Sequence, residues 1–196
     1  MLKTIQRIWL ILTLMLGALV AQPAAADTSQ IALARRLLLN NKVSILVPID
    51  FNPLPDELVR VKYRSASPPS VVLGNDSGTV NLAMDLRQVT VGPTDIPQVH
   101  EQLKQGFRNL YPSAVWNKTE LRKINGTEFA ILDLFTPALD GEIRNVMAVT
   151  SLDNRLLVIT FNCTKTLDST WRKTAVKMLE SIKLYNSSPP NNPVER

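Results

Sequence analysis

Along residues 37 to 163 the apolar positions switch between a period of two and a period of three to four, and each switch marks a new element. Leu37-Leu38-Leu39 and Lys42 to Pro48 predict two short strands around Asn40-Asn41, since asparagine tolerates the left-handed backbone of a tight hairpin. Pro48, Pro53 and Pro55 halt regular pairing, Leu58 to Tyr63 reads as a further strand, and Ser65 to Pro69 as a loop. Ser70 to Gly74 and Gly78 to Val91 flank the turn signal Asn75-Asp76-Ser77. In the second run Val80, Leu82, Met84 and Leu86 alternate with Asn81, Ala83, Asp85 and Arg87, the pattern of a half-buried strand.

The period then lengthens. Ile96, Val99, Leu103, Phe107 and Leu110 recur every three or four positions, which predicts an amphipathic helix ending before Pro112. Asp95 stands at its N-cap with Gln98 three residues on, and Pro97 falls in the first turn, where a missing N–H does no harm. The opposite, water-facing side carries His100, Glu101, Lys104 and Arg108. Four strands follow: Ala114 to Ile124, Thr127 to Phe135, Ile143 to Ser151 and Arg155 to Cys163. Asn125-Gly126, the segment Pro137 to Gly141 and Asp153-Asn154 divide them, and links this short favour an antiparallel meander. Asp168 is the expected cap of a last helix running from Ser169 to Leu184, with Trp171, Ala175, Met178, Leu179 and Ile182 as its stripe.

Strands interrupted by one helix and closed by another predict an α+β fold with helices packed on a largely antiparallel sheet. This single domain is placed at residues 37–185, after a linker at 27–36 and before a polar, proline-rich tail at 186–196 that is expected to be disordered. Residues 1–26 change the compartment. Lys3 and Arg7 precede an uncharged apolar run from Ile8 to Ala21, and Ala24-Ala25-Ala26 leads into Asp27, the layout of a secretory signal peptide. That run falls short of the roughly 20 residues needed to cross a bilayer. The expected product is therefore exported, most naturally to a periplasm, with an extracellular or lumenal destination as the alternative. It carries no transmembrane anchor after cleavage.

Cleavage removes two of 22 cations and none of 17 anions, so the exported chain has a formal charge of 20 minus 17, or +3. A dispersed excess of that size argues against a nucleic-acid partner, which calls for a basic stripe. With one His and one Cys among 196 residues, the chain alone cannot build a zinc finger, a three-histidine site or an internal disulfide. No cofactor and no metal site is expected.

His100 reads as a rim histidine, because no Cys or carboxylate stands at a catalytic spacing from it. Cys163, in a strand-like run, reads as a buried thiol, with an intermolecular disulfide as the alternative. Glu128 and Asp133 point to opposite faces of one strand and form no carboxylate pair, and Asp133 reads as a hydrogen-bonded edge carboxylate. Trp116, Phe129, Phe135, Phe161 and Trp171 favour core packing over a ligand cage. No catalytic residue is assigned. The candidate partner-contact residues are the helix cations Lys104, Arg108, Arg172, Lys173 and Lys177, for which a solvated face is the competing reading. Asn75, Asn117, Asn125, Asn162 and Asn186 begin Asn-x-Ser/Thr triplets, which a eukaryotic host glycosylates, although Asn162 lies inside a core strand.

The run Leu37 to Pro48 resembles the opening hairpin of DcrB-type bacterial periplasmic proteins, part of the wider PsbP/Mog1-like fold. The resemblance continues through the helix Asp95 to Leu110, the Asn125-Gly126 hairpin, the central strands and the closing Glu180-Ser181-Ile182-Lys183-Leu184, covering residues 37 to 184. It implies a twisted antiparallel sheet with helices on both faces, no enzymatic activity, and an accessory role in envelope integrity exercised by binding an envelope or secreted protein. The DcrB type is commonly a lipoprotein, whereas this signal region contains no Cys. Two rival readings remain: a small exported hydrolase with dispersed catalytic residues, or a carrier whose apolar pocket is lined by Trp116, Phe135 or Trp171.

Overall fold

The computed structural model describes residues 31–63, 67–138 and 141–185. The expected signal peptide at 1–26, residues 27–30 of the expected linker, the expected tail at 186–196 with Asn186, residues 64–66 and residues 139–140 lie outside the described residues. The elements are β1 (Leu33–Leu38), β2 (Val43–Pro48), β3 (Asn52–Pro53), α1 (Asp56–Lys62), β4 (Val71–Gly74), β5 (Val80–Thr90) and α2 (Ile96–Leu110). They continue as β6 (Val115–Ile124), β7 (Thr127–Ala138), β8 (Gly141–Leu152), β9 (Arg155–Thr164), α3 (Asp168–Glu180) and β10 (Lys183–Leu184). One sheet runs in the order β3-β4-β5-β9-β8-β7-β6, a smaller one β1-β2-β10, and neighbouring strands are antiparallel throughout.

Turn chemistry sets the meander. Asn125 and Gly126 take φ of 47° and 87°, and Asp153 and Asn154 take 52° and 53°, so both two-residue hairpins are paired left-handed turns that follow the strand twist. Leu39, Asn40 and Asn41 are left-handed as well, at 51°, 55° and 64°, which closes β1 onto β2. β1 begins at Leu33, inside the segment expected to be a linker, because Leu33 to Leu38 pairs residue by residue with Pro48 to Val43.

Three local expectations are corrected. Leu58 to Tyr63 lies in and just past helix α1, with Pro55 ahead of it, Asp56 and Glu57 in the first turn and Arg60 and Lys62 in the last. Those end charges match the helix dipole, and Leu58, Val59 and Tyr63 fall on one helical face that packs on Leu54, Val72 and Ala83. Neither expected cap forms: the Asp95 carboxylate accepts the Gly92 N–H at 2.7 Å in the preceding turn, and Asp168 is spent on arginines. The last helix stops at Glu180, and Lys183–Leu184 pairs with β2 instead.

Two apolar layers cover the large sheet. On one face Phe129, Ile131, Ile159 and Phe161 meet α3 and β2 through Ala175, Met178, Val43 and Ile45. On the other, Ala130, Leu132, Leu134 and Val149 meet α2 through Ile96, Val99, Leu103 and Phe107, while Leu110 projects out at 69% exposure. β5 is buried from Val80 to Asp85 and so is not half-buried, because α1 and Leu54 cover the face that carries Ala83.

Candidate functional site

α2 and α1 leave a strip of sheet uncovered between them. Its floor is made by outward positions of β5, β9 and β8, and its walls by Lys62 and Tyr63 after α1 and by Phe107 and Tyr111 at the end of α2. Two adjoining hollows of about 540 Å³ and 370 Å³ share Lys62, Tyr63, Tyr111, Asn145 and Asn162 as their waist.

The strand register builds the floor. Asn145 faces Asn162, Asn162 faces Asn81, and Asn81 faces Gly74, so three carboxamides stand in one row across three strands. Gly74 ends the row because a Cβ there would stand 2.8 Å from the Val80 carbonyl oxygen and 3.1 Å from the Asn81 Cβ. The Tyr63 hydroxyl donates to Asn81 Oδ1 at 2.7 Å, and Asn162 Nδ2 donates to Tyr63 Oη and Asn81 Oδ1, each at 3.1 Å. Asn145 Nδ2 donates to Thr136 Oγ1 at 2.9 Å and to the Ile143 carbonyl at 3.1 Å. Burial pushes the Tyr63 phenol up to about 12, against a smaller opposing effect of Asn162, so the hydroxyl keeps its proton and stays a donor.

Asp85 closes one end of the groove, accepting the Ser70 hydroxyl at 2.6 Å and pairing with Arg87. Among the described residues the Lys62 side chain makes no ion pair and no hydrogen bond, and burial lowers its pKa. Its stem lies across Gly78, whose φ of +64° and missing side chain make room; a Cβ there would be 2.7 Å from Lys62 Cε.

The groups singled out from the sequence lie elsewhere. His100 is a buried residue and not a rim one: it shares a hydrogen bond of 2.6 Å with Thr119 Oγ1 on β6, and burial, then Lys104, lowers its pKa. Cys163 is a free buried thiol on the α3 face, pushed up to about 11 by burial and by Asp168. Asp133 is hydrogen-bonded as expected but sits on β7, which lies inside the sheet, where Arg144 and Asn117 hold it. Trp116 packs on the α2 side, whereas Phe129, Phe161 and Trp171 pack on the α3 side, so these aromatics belong to core layers on opposite faces of the sheet and form no common cage.

The candidate contact cations are divided in the same way. Lys104 and Arg108 belong to α2, Lys104 bonding Glu101 at 2.7 Å and Arg108 standing 5.7 Å from the Trp116 ring centre. Arg172, Lys173 and Lys177 belong to α3 on the other face, where Arg172 pairs with Asp168. None of the five lines the groove. Sequence reasoning missed the asparagine row, although its signal was visible as Asn81 and Asn162 inside otherwise apolar strand runs. Among the described residues no three metal-ligating side chains converge, and no helix is long and apolar enough to cross a membrane.

No protein-family model and no curated protein matches the sequence. Solved structures do match. Cyanobacterial PsbP (CyanoP) from Synechocystis superposes with a TM-score of 0.57 at 16% identity, over 79% of this chain and 94% of that one. A protein of Bacteroides thetaiotaomicron superposes with a TM-score of 0.53 at 13% identity, over 79% of this chain and 49% of that one, so the likeness spans about half of its length. The Ran-binding protein Mog1p of Saccharomyces cerevisiae reaches 0.46 at 10% identity, over 79% and 96%. The first two show the fold: α+β, antiparallel and PsbP-like, as the resemblance of residues 37 to 184 implied.

Proposed function

We propose that this is an exported, non-enzymatic accessory protein of the cell envelope, DcrB-like in setting, which acts by contact with another envelope or secreted protein. A periplasmic location rests on the signal-peptide pattern of residues 1–26. The observation that carries the binding role is the make-up of the groove. At its waist the floor consists of carboxamides and hydroxyls already tied to one another, and among the described residues its one carboxylate is held by Arg87 and Ser70. Such a surface is rigid before any ligand arrives, which lowers the entropy lost on binding. The chain's one thiol and one imidazole, Cys163 and His100, are packed away from it, and the carboxylate that does line it, Asp85, is engaged by Arg87 and Ser70.

The processed chain, affinity-tagged and mildly crosslinked in the exporting compartment, is expected to yield one partner in fixed ratio. The reading fails if only background is recovered while the purified protein turns over envelope substrates.

A further inference from the structure

We infer that the groove between α1 and α2 docks an extended peptide segment that places a carboxylate side chain against Lys62. This deepens the protein-contact reading and rests on it. Length comes first: from Val158 to Thr164 the floor follows β9 for six residue steps, about 20 Å at 3.3 Å per step, which matches an extended chain of about six residues. The hollows lie end to end, and each mixes apolar and polar groups: Phe107, Met147 and Val158 beside Asp85 and Thr160 in one, Pro137 and Ile143 beside Thr136 and Thr164 in the other.

The floor supplies acceptors. Both Asn145 Nδ2 and Asn162 Nδ2 spend their hydrogens within the protein, while the two amide oxygens receive none from the described residues. Among the described residues no polar side-chain atom is both buried and unpartnered, so these oxygens are open to the groove. They stand on neighbouring strands and are free to accept backbone N–H groups of a bound chain. Charge fixes the remaining feature. Among the described residues the lining holds Lys62, Asp85 and Arg87 as its charged groups, and because the last two pair with each other, Lys62 is the one left uncompensated at the waist. A side-chain carboxylate there forms a charge-assisted hydrogen bond with the Lys62 ammonium.

The test begins with a phage-displayed random heptapeptide library selected on the processed full chain. Enriched peptides are expected to share one Asp or Glu position, and a synthetic copy of the strongest is then measured by fluorescence anisotropy. Lys62→Gln is expected to weaken binding about tenfold, as is Glu→Gln or Asp→Asn in the peptide, with no further loss when both changes are combined. Lys62 is an exposed surface position, so this variant keeps the fold, and circular dichroism verifies that. The inference is overturned if no peptide is enriched, if enriched peptides lack a shared acid, if Lys62→Gln leaves affinity unchanged, or if soluble glycan fragments bind in a Lys62-dependent way instead.

A photo-crosslinking residue at Tyr111 and another at Lys173 separate this inference from the broader reading. Partner crosslinks from Tyr111 support both. Crosslinks from Lys173 alone overturn the groove and leave the protein-contact role standing.

Discussion

Arg144 offers the sharpest test of how the fold is held. Its side chain is buried, with 4% of the residue exposed, and it stands between two carboxylates. Nε donates to Asp133 Oδ1 at 2.9 Å and Nη2 to Asp133 Oδ2 at 2.6 Å, while Nη1 bonds Asp168 at the start of α3. Asp168 also takes Arg172 one turn on, so the guanidinium ties the first turn of α3 to strand β7. Arg144→Met keeps much of the packing and leaves Asp133 and Asp168 with side-chain exposures of only 14% and 7% and without this cation. Stranding a buried charge by removing its partner costs about 3–5 kcal/mol. At about 2–4 °C per kcal/mol for a chain of this size, the melting temperature falls by roughly 6–20 °C.

The same variant weakens an acid response. In the parent, the bonds from Arg172 and Arg144 outweigh burial and hold the Asp168 carboxyl below its usual range. That contribution is present above the unfolded pKa of about 3.9 and is lost as pH falls through the lower folded value. In Arg144→Met, Asp168 keeps Arg172 but loses the Arg144 bond, so its carboxyl is held down less and the variant loses less stability in acid than the parent. Urea unfolding followed by far-ultraviolet circular dichroism at pH 7 and about pH 3 reads both effects. Adding Asp133→Asn is expected to restore most of the loss, since it removes the carboxylate left without a cation. A loss under about 1 kcal/mol at pH 7, or a variant that loses more stability than the parent between the two pH values, refutes the reasoning.

Three further outcomes follow from groups outside the groove. Burial holds the His100 pKa below its ordinary 6.5, so the unfolded chain binds more protons in mild acid; stability is complete above pH 6.5 and declines below it. His100→Gln should flatten the denaturation midpoint between pH 7 and pH 5, and an unchanged slope would show that another group is responsible. The Cys163 thiol, pushed up to about 11 and 1% exposed, should react with iodoacetamide at pH 8 at least about 100-fold more slowly in the native chain than in guanidinium; equal rates would contradict its burial. Gly78→Ala places a side chain at φ +64° against Lys62 and Leu58 and should lower stability by about 1–2 kcal/mol, measurable as a shifted urea midpoint.

Where an element declares itself through its own residues, the sequence was enough. Asn125-Gly126 and Asp153-Asn154 need only local left-handed geometry to make hairpins, and Ile96 to Phe107 needs only its own period to make an amphipathic helix. The segment Asp56 to Lys62 misled because Val59, Val61 and Tyr63 alternate with cations, while the helix signal lies in Pro55-Asp56-Glu57 and in the packing of Leu58 and Val59 on Leu54 and Val72. His100 looked polar and exposed on its own helix; it is buried because β6 brings Thr119 over it.

The groove lies beyond any local reading. Asn81, Asn145 and Asn162 are separated by 64 and 17 positions (145 − 81 and 162 − 145), and only the pairing of β5 with β9 and of β9 with β8 sets them side by side. By itself the sequence determined periods and turns, because each depends on neighbours within a few residues. Strand register, the face each helix covers and the strip left bare between α1 and α2 were decided only in the folded chain, where contacts distant in sequence compete for the same two faces of one sheet.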